Sequence, residues 1–322
     1  MIKIDVVPHL DPEMAAAVAE NRRLYGELAA QRGPAAPDDV AAQRAFFNHG
    51  RAYWNAIKPA LAAVEALDIP GPGGSIPCRL YRPSTARPLP ALIYFHGGGW
   101  VLGNLDTHDR IMRLVAEKSG AAVLGVDYRL APEHKFPACY DDALAVLRYL
   151  GREGAAYGID TARLALGGDS AGANIALATA LQLDPAARAS IRLLLLYYGS
   201  FGLLDSASLR AYGNDLDGLS KAQIERFRSH FIRHPGDLGD IRHDCLAGDL
   251  RGLPPAFMAA AALDPLLDDS RTLAHLLSEV GVPHEFVVYD GVLHGFLHLS
   301  RMVAKAMQAL DAGAGALKRA FK

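Results

Sequence analysis

The sequence predicts an α/β protein: a mostly parallel eight-stranded sheet with helices on both faces and a helical cap. Three observations predict it. Short apolar runs with strand character recur from Val64 onward, and from the third run on helical stretches separate most of them. One interval of more than fifty residues, between Tyr198 and Ala256, breaks the alternation. Apolar strands alternating with helices need a sheet covered on both faces. The composition suits such a core, with 51% hydrophobic and 21% charged residues in a chain of 322.

The elements follow in order. Residues up to about Leu61 read as helices. Asp11-Pro12-Glu13 is a helix start, with a cap residue, then Pro, then an acid in the first turn. A Gly-Pro-Ala-Ala-Pro-Asp break at Gly33 to Asp38 separates this helix from a second, which carries Phe46, Phe47, Tyr53 and Trp54. Those aromatics are too many for a fully solvated helix. The strand candidates are Val64–Ile69, Ile76–Arg82, Ala91–Phe95, Ala122–Val126, Leu164–Leu166, Arg192–Tyr197, Ala256–Ala261 and Glu285–Tyr289. Helices are expected at about Thr107–Ser119, Tyr140–Glu153, Ala171–Leu183 and Asp269–Val280, with a last one from about Phe296 to the end. The long interval holds a helix with Ile224, Phe227 and Phe231 on one face, for packing, for a lid over the site, or for both. The expected division is N-terminal helices over 1–61 and a sheet-containing domain over 62–322, with an insertion at about 200–235.

Charge and cysteine usage narrow the partners. The net charge is −2, from 33 basic and 35 acidic residues, with no clustering of the kind a nucleic acid or an anionic membrane needs. The basic tail Lys318, Arg319 and Lys322 suits a helix C-terminus. Cys78, Cys139 and Cys245 are sparse and far apart, without a disulfide framework or zinc spacing. The first ten residues hold no apolar core of signal-peptide length, and the longest apolar run, Leu193 to Tyr198, suits a buried strand. The expectation is a cytoplasmic protein with no membrane partner.

The chemistry concentrates in four segments. Gly168-Asp169-Ser170-Ala171-Gly172 fits G-x-S-x-G. The pattern is weak alone, but an apolar strand enters it and an Ala- and Leu-rich helix leaves it, which is the strand–turn–helix setting of a nucleophile elbow. Ser170 is then held in a strained turn with its hydroxyl exposed, beside a helix N-terminus that favours developing negative charge. His96-Gly97-Gly98-Gly99-Trp100 follows an apolar strand. Its glycines let backbone N–H groups approach a substrate oxygen and, with the Ala171 N–H, hold an oxyanion. No Gly-Lys-Ser/Thr follows, which disfavours a phosphate cradle. His96 reads as a loop organiser rather than the base.

His294 lies just after the last strand candidate and Asp264 just after the one before it. Loops at the C-terminal ends of parallel strands gather ligand-facing residues. The order Ser170, Asp264, His294 matches the Ser…Asp…His order of an α/β-hydrolase. Asp264 also has a reading as a helix cap, a role that suits Asp268 or Asp269 better. His294 and His298, one helical turn apart, invite a metal reading, but no third ligand is suitably spaced. As the base His294 must be neutral, so activity is expected to fall as pH drops through about 6–7.

Together these motifs resemble the hormone-sensitive-lipase-like group of α/β-hydrolase esterases, which includes bacterial acetyl esterases. His96 to Trp100, Asp127-Tyr-Arg-Leu-Ala-Pro-Glu133 with Phe136-Pro137, Gly168 to Gly172, Asp264-Pro-Leu266 and His294-Gly-Phe296 occur in the expected order, over about Val64 to the C-terminus. Ala173 departs from the group, which usually has another Gly there. The resemblance implies ester hydrolysis without a cofactor, short acyl chains, and oxyanion donors at Gly98, Gly99 and Ala171. It also makes the N-terminal helices and about Ser200 to Pro235 two halves of a cap. By analogy, the last helix and last strand form a possible homodimer face. Asp127, Arg129 and Glu133 read as ion-paired supports of the site. Two other functions stay open: an amidase or carbamate hydrolase with the same triad, and a non-catalytic ligand-binding member of the fold.

Overall fold

The computed structural model describes residues 3–36, 38–216 and 219–322. Pro37, within the break between the first two helices, and positions 217 and 218 of the cap insertion lie outside the described residues. Among the described residues, eight strands form one sheet in the order β1-β2-β4-β3-β5-β6-β7-β8. They are β1 (Ala63–Gly71), β2 (Gly74–Arg82), β3 (Leu89–Phe95), β4 (Ala122–Val126), β5 (Ile159–Asp169), β6 (Ile191–Tyr197), β7 (Ala256–Ala261) and β8 (His284–Tyr289). β2 runs antiparallel to both its neighbours, and the pairs from β4 through β8 are parallel. The helices are α1 (Pro12–Arg32), α2 (Val40–Asn55), α3 (Asp109–Ser119), α4 (Ala138–Glu153), α5 (Ala171–Leu181), α6 (Pro185–Arg188), α7 (Ala207–Tyr212), α8 (Lys221–Phe231), α9 (Leu267–Glu279) and α10 (Ala304–Ala320).

The apolar residues of β3 to β7 divide between two cores. Ile93, Leu166, Leu194 and Met258 pack with α4, α5 and α9 on one face. Leu92, Tyr94, Ala165, Leu195 and Phe257 pack with α3 and α10 on the other. A sheet buried on both faces explains why its central strands are continuously apolar rather than alternating. α1 joins the second core through Met14, Ala17 and Val18, and α8 joins the first through Ile224, Phe227 and Phe231.

Several boundaries differ from expectation. β5 spans Ile159–Asp169, well beyond Leu164–Leu166. Its start is polar, and Gly167 and Gly168 near its end carry no side chain to signal a strand. α3 begins at Asp109 because the Thr107 hydroxyl bonds back to the Asn104 carbonyl at 2.8 Å, closing a turn instead. The last helix is two pieces, a 3₁₀ turn over Phe296–Leu299 and then α10. The Ala304 N–H donates to Glu13 Oε2 at 2.7 Å, so a side chain of α1 caps the new start. Neither Asp268 nor Asp269 caps α9, whose first residue follows Leu266 with no side-chain cap. Both carboxylates are taken by another segment: Asp269 accepts the N–H groups of Phe201, Gly202 and Leu203, and Asp268 accepts that of Ser208. Asp11 does cap α1, accepting the Glu13 N–H at 3.0 Å. No described helix is long and apolar enough to cross a membrane.

Candidate active site

Ser170 stands between β5 and α5 with φ 55° and ψ −121°, in the left-handed region that an L-residue occupies only when its surroundings enforce it. The enforcement comes from packing. A Cβ on either Gly168 or Gly172 would run into the Phe95 carbonyl oxygen, so only glycine lets the elbow lie against β3. The Ser170 N–H is tied to Tyr197 O at 2.9 Å.

Loops after β7 and β8 bring the other two candidates to this turn. His294 Nε2 lies 2.9 Å from Ser170 Oγ, and His294 Nδ1 lies 2.8 Å from Asp264 Oδ2. Asp264 is fully buried. Its second oxygen accepts the Leu266 N–H at 2.8 Å, so it orders its own loop while facing the histidine. The edge of the imidazole packs against the Tyr198 ring, with centroids 5.0 Å apart. The structure thus gathers Ser170, Asp264 and His294, separated by up to 124 residues of sequence, into one hydrogen-bonded chain.

The glycine loop after β3 borders the same cavity. Gly98 (φ 130°) and Gly99 (φ 61°) adopt conformations that favour glycine. The Gly98 carbonyl accepts the N–H groups of Val101 and Leu102, at 3.1 and 2.8 Å, which closes the loop into a tight turn. The N–H groups of Gly98, Gly99 and Ala171 have no acceptor among the described residues, and all three residues line the cavity with Ser170. His96 is bound into the loop. It stacks on Tyr128 with centroids 4.3 Å apart, and its Nδ1 is 2.9 Å from Gly97 O. Burial depresses its pKa to about 3.

Sequence reasoning passed over Asp169, the x before Ser in the motif. Its buried carboxylate accepts the Tyr94 hydroxyl at 2.8 Å and the Gly97 N–H at 3.1 Å, coupling elbow to glycine loop. Burial alone would raise its pKa. The neighbouring His108 and the Tyr94 bond outweigh that and hold it below the usual range. His108, Asp169 and His298 place ligand-type atoms within 4.8 Å of one another, the one such trio among the described residues. His294 is not part of this trio. The trio reads as a hydrogen-bonded support under the elbow, since Asp169 already has its donors and burial holds His298 well below its usual pKa.

Two of the three charges of the Asp127–Glu133 stretch pair, though not with each other, and Asp127 does not. Arg129 grips Asp142, with its closest approach at 2.8 Å, and Glu133 takes Arg44 of α2 at 2.7 Å. Arg44 also donates to Val101 O and Ala131 O, each at 2.8 Å, fastening α2 to the glycine loop. Asp127 is 3.8 Å from His96 Nε2, and burial raises its pKa to about 6. Over the triad lies a cavity of about 760 Å³, lined by the glycine loop and elbow below and by residues of α1, α2 and α8 above.

Comparison with known proteins agrees with this fold. Residues 92–298 match a family described as having the α/β-hydrolase fold. The chain is 38% identical to an acetyl esterase of Salmonella paratyphi B over 97% of this chain and 95% of that protein. An acetyl esterase of Salmonella schwarzengrund is 39% identical, with the same shares covered. The hyperthermophilic esterase from the archaeon Pyrobaculum calidifontis superposes with a TM-score of 0.88 at 35% identity, covering 97% of this chain and 98% of that one. An ester hydrolase from the metagenome of Lake Arreo, complexed with a bipyridine phosphonate derivative, superposes at 0.88 with 36% identity, covering 97% and 99%.

Proposed function

The chain belongs to the α/β-hydrolase fold family, in its hormone-sensitive-lipase-like branch, and is a carboxylic ester hydrolase; from that premise we propose that it hydrolyses short-chain acyl esters through an acyl-enzyme formed on Ser170. The observation that carries this reading is the contact chain from Ser170 Oγ through His294 to the buried Asp264, at 2.9 and 2.8 Å.

Ser170 donates its proton to His294 Nε2 as Oγ attacks the acyl carbon. His294 Nδ1–H donates to Asp264, which fixes the tautomer and stabilises the imidazolium that forms. The oxyanion is held by the N–H groups of Gly98, Gly99 and Ala171, each such donor lowering the barrier by about 3 kcal/mol. The imidazolium returns its proton to the leaving oxygen, the alcohol departs, and water repeats the cycle on the acyl-enzyme. Residues 1–61 and about 200–235 act as a cap over a catalytic domain spanning 62–322. The names of the acetyl esterase relatives support a small acyl group.

The test is a p-nitrophenyl ester series from acetate to palmitate, with fluorophosphonate labelling, on wild type and Ser170→Ala. Activity is expected to peak at the short esters and to fall by about 10⁴-fold or more in the variant, because triad members act as a unit. A peak at palmitate overturns the short-chain reading. Equal labelling of the two proteins overturns the role of Ser170.

A further inference from the structure

The cavity above Ser170 carries more positive charge than hydrolysis requires. Arg22, Arg51, Arg226 and Arg228 all line it. The lining carboxylates among the described residues are Asp169, already bonded by Tyr94 and Gly97, and the exposed Asp215. A concave site lined by one sign of charge focuses the field on whatever enters it.

Arg51 stands beside the loop that carries His294. It projects from α2 with its guanidinium 4.8 Å over the Phe47 ring. A Cβ on Gly295 would sit 3.9 Å from Arg51 Nη2, so the guanidinium is beside the residue that follows His294. Its Nε is buried without a hydrogen-bond partner, and no described carboxylate pairs with it. Its charge reaches the site: burial first, then Arg51, hold His298 neutral. A half-buried guanidinium with no counterion is costly, and one aromatic face compensates only in part.

The chemistry decides which end of a substrate meets Arg51. His294 returns the proton to the leaving oxygen, so the alcohol part of the ester lies next to His294. Resting on the Ser170 reading, we propose that the preferred leaving group is a hydroxy acid whose carboxylate is gripped by Arg51. The enzyme is then a deacylase of O-acylated hydroxy acids. A planar guanidinium fits a carboxylate through two parallel N–H···O bonds, a geometry that a lysine cannot copy. The other three arginines strengthen the field and draw the anion in.

The experiment compares 3-acetoxybenzoate with 3-acetoxybenzamide, which differ in charge and hardly in size. Wild type is expected to favour the anion by about tenfold or more in kcat/KM, mostly through KM, as a charge-assisted pair provides. Raising the salt concentration should shrink that ratio. Arg51→Met should bring the ratio to one or below, and Arg51→Lys should restore part of it. A wild-type ratio of one or less, or a ratio unmoved by Arg51→Met, overturns the proposal. If the variant does not fold, wild type alone still decides: 3-hydroxybenzoate must inhibit better than 3-hydroxybenzamide, and equal inhibition overturns the proposal. Amide-ester hydrolysis that survives Ser170→Ala would instead overturn the underlying reading. Amide-ester hydrolysis lost in Ser170→Ala, without an anion preference, overturns only this one.

Discussion

The two sides of the cavity around Ser170 are made of different material. Below, the wall is backbone: the strained Ser170, the amides of Gly98, Gly99 and Ala171, and turns that only glycine fits. Above, α1, α2 and α8 contribute side chains such as Arg51, Phe47 and Phe227. Their anchoring differs accordingly. The lower side is continuous with a sheet buried on both faces. The upper side is held by discrete contacts: Arg44 on two carbonyls, Asp11 on Lys305, and Phe231 stacked on Trp100 at 4.6 Å. A backbone site leaves little room for substitution without losing the reaction, whereas a side-chain wall can vary and change only what is admitted.

The sharpest way to break this comparison is Gly98→Ala. Gly98 sits at φ 130°, where an L-residue is strained, and an added Cβ would collide with the Leu102 carbonyl. The loop must shift, and the amides proposed to hold the oxyanion shift with it. Activity on p-nitrophenyl acetate is expected to fall by about 10²–10³-fold, the size of one lost oxyanion donor, while far-ultraviolet circular dichroism stays that of the folded protein. Retention of more than a tenth of the activity would mean that the lower side is as plastic as the upper.

A second measurement probes the groups packed around the lower side by pH. Burial depresses His96 to about 3 and His243 to about 4, and puts His298 well below its usual range. In the unfolded chain each titrates near 6.5. Below that value the unfolded state binds protons that the folded state refuses, so stability is lost as pH falls. Asp127 opposes them: burial raises it to about 6, so the folded state takes up its proton first on the way down from neutral pH. Asp269, which burial raises to about 7, opposes them in the same way. Three groups against two leave about one proton, or roughly 1.4 kcal/mol per pH unit between about 6 and 4. Calorimetry should therefore show Tm falling over that window. A flat Tm would mean that these histidines protonate within the folded protein.

The same division governs what the sequence alone reveals. Ser170, Asp264 and His294 are readable because each sits at the end of an apolar strand, and a parallel sheet brings strand ends together whatever the loops contain. The glycine run is readable because backbone chemistry demands that residue type. Phe227 is partly readable, since its helix face reads as packing or as a lid, but not its contact with the glycine loop. Arg51 is not readable: it lies 119 residues before Ser170, on a helix whose aromatic residues signal burial but not what each polar residue overlooks. Asp169 escaped for another reason: its carboxylate is purely a link between two loops, and only the fold reveals both ends. Asp268 and Asp269 look like helix caps, yet they serve the segment after β6, a contact across about sixty residues that local spacing cannot anticipate.

The smallest expected effect falls on the upper side, at Phe227. Its ring is 9% exposed and lies against the glycine loop, where a Cβ on Gly99 would meet it at 2.5 Å. It therefore walls the end of the cavity next to the glycine loop, where the proposed mechanism places the acyl chain. Phe227→Ala removes that wall without touching a donor or the triad. Because the ring borders an open cavity, the cost to stability should lie near the lower end of the usual range, about 3 kcal/mol. The acyl optimum is expected to lengthen by about two carbons, with kcat/KM for the acetate falling about threefold, since a missing methylene contact is worth only about 1 kcal/mol. An optimum that stays at acetate would place the acyl limit in the lower side instead. Chain length would then be set by the same backbone that sets the reaction, and the two sides would not divide the labour as their construction implies.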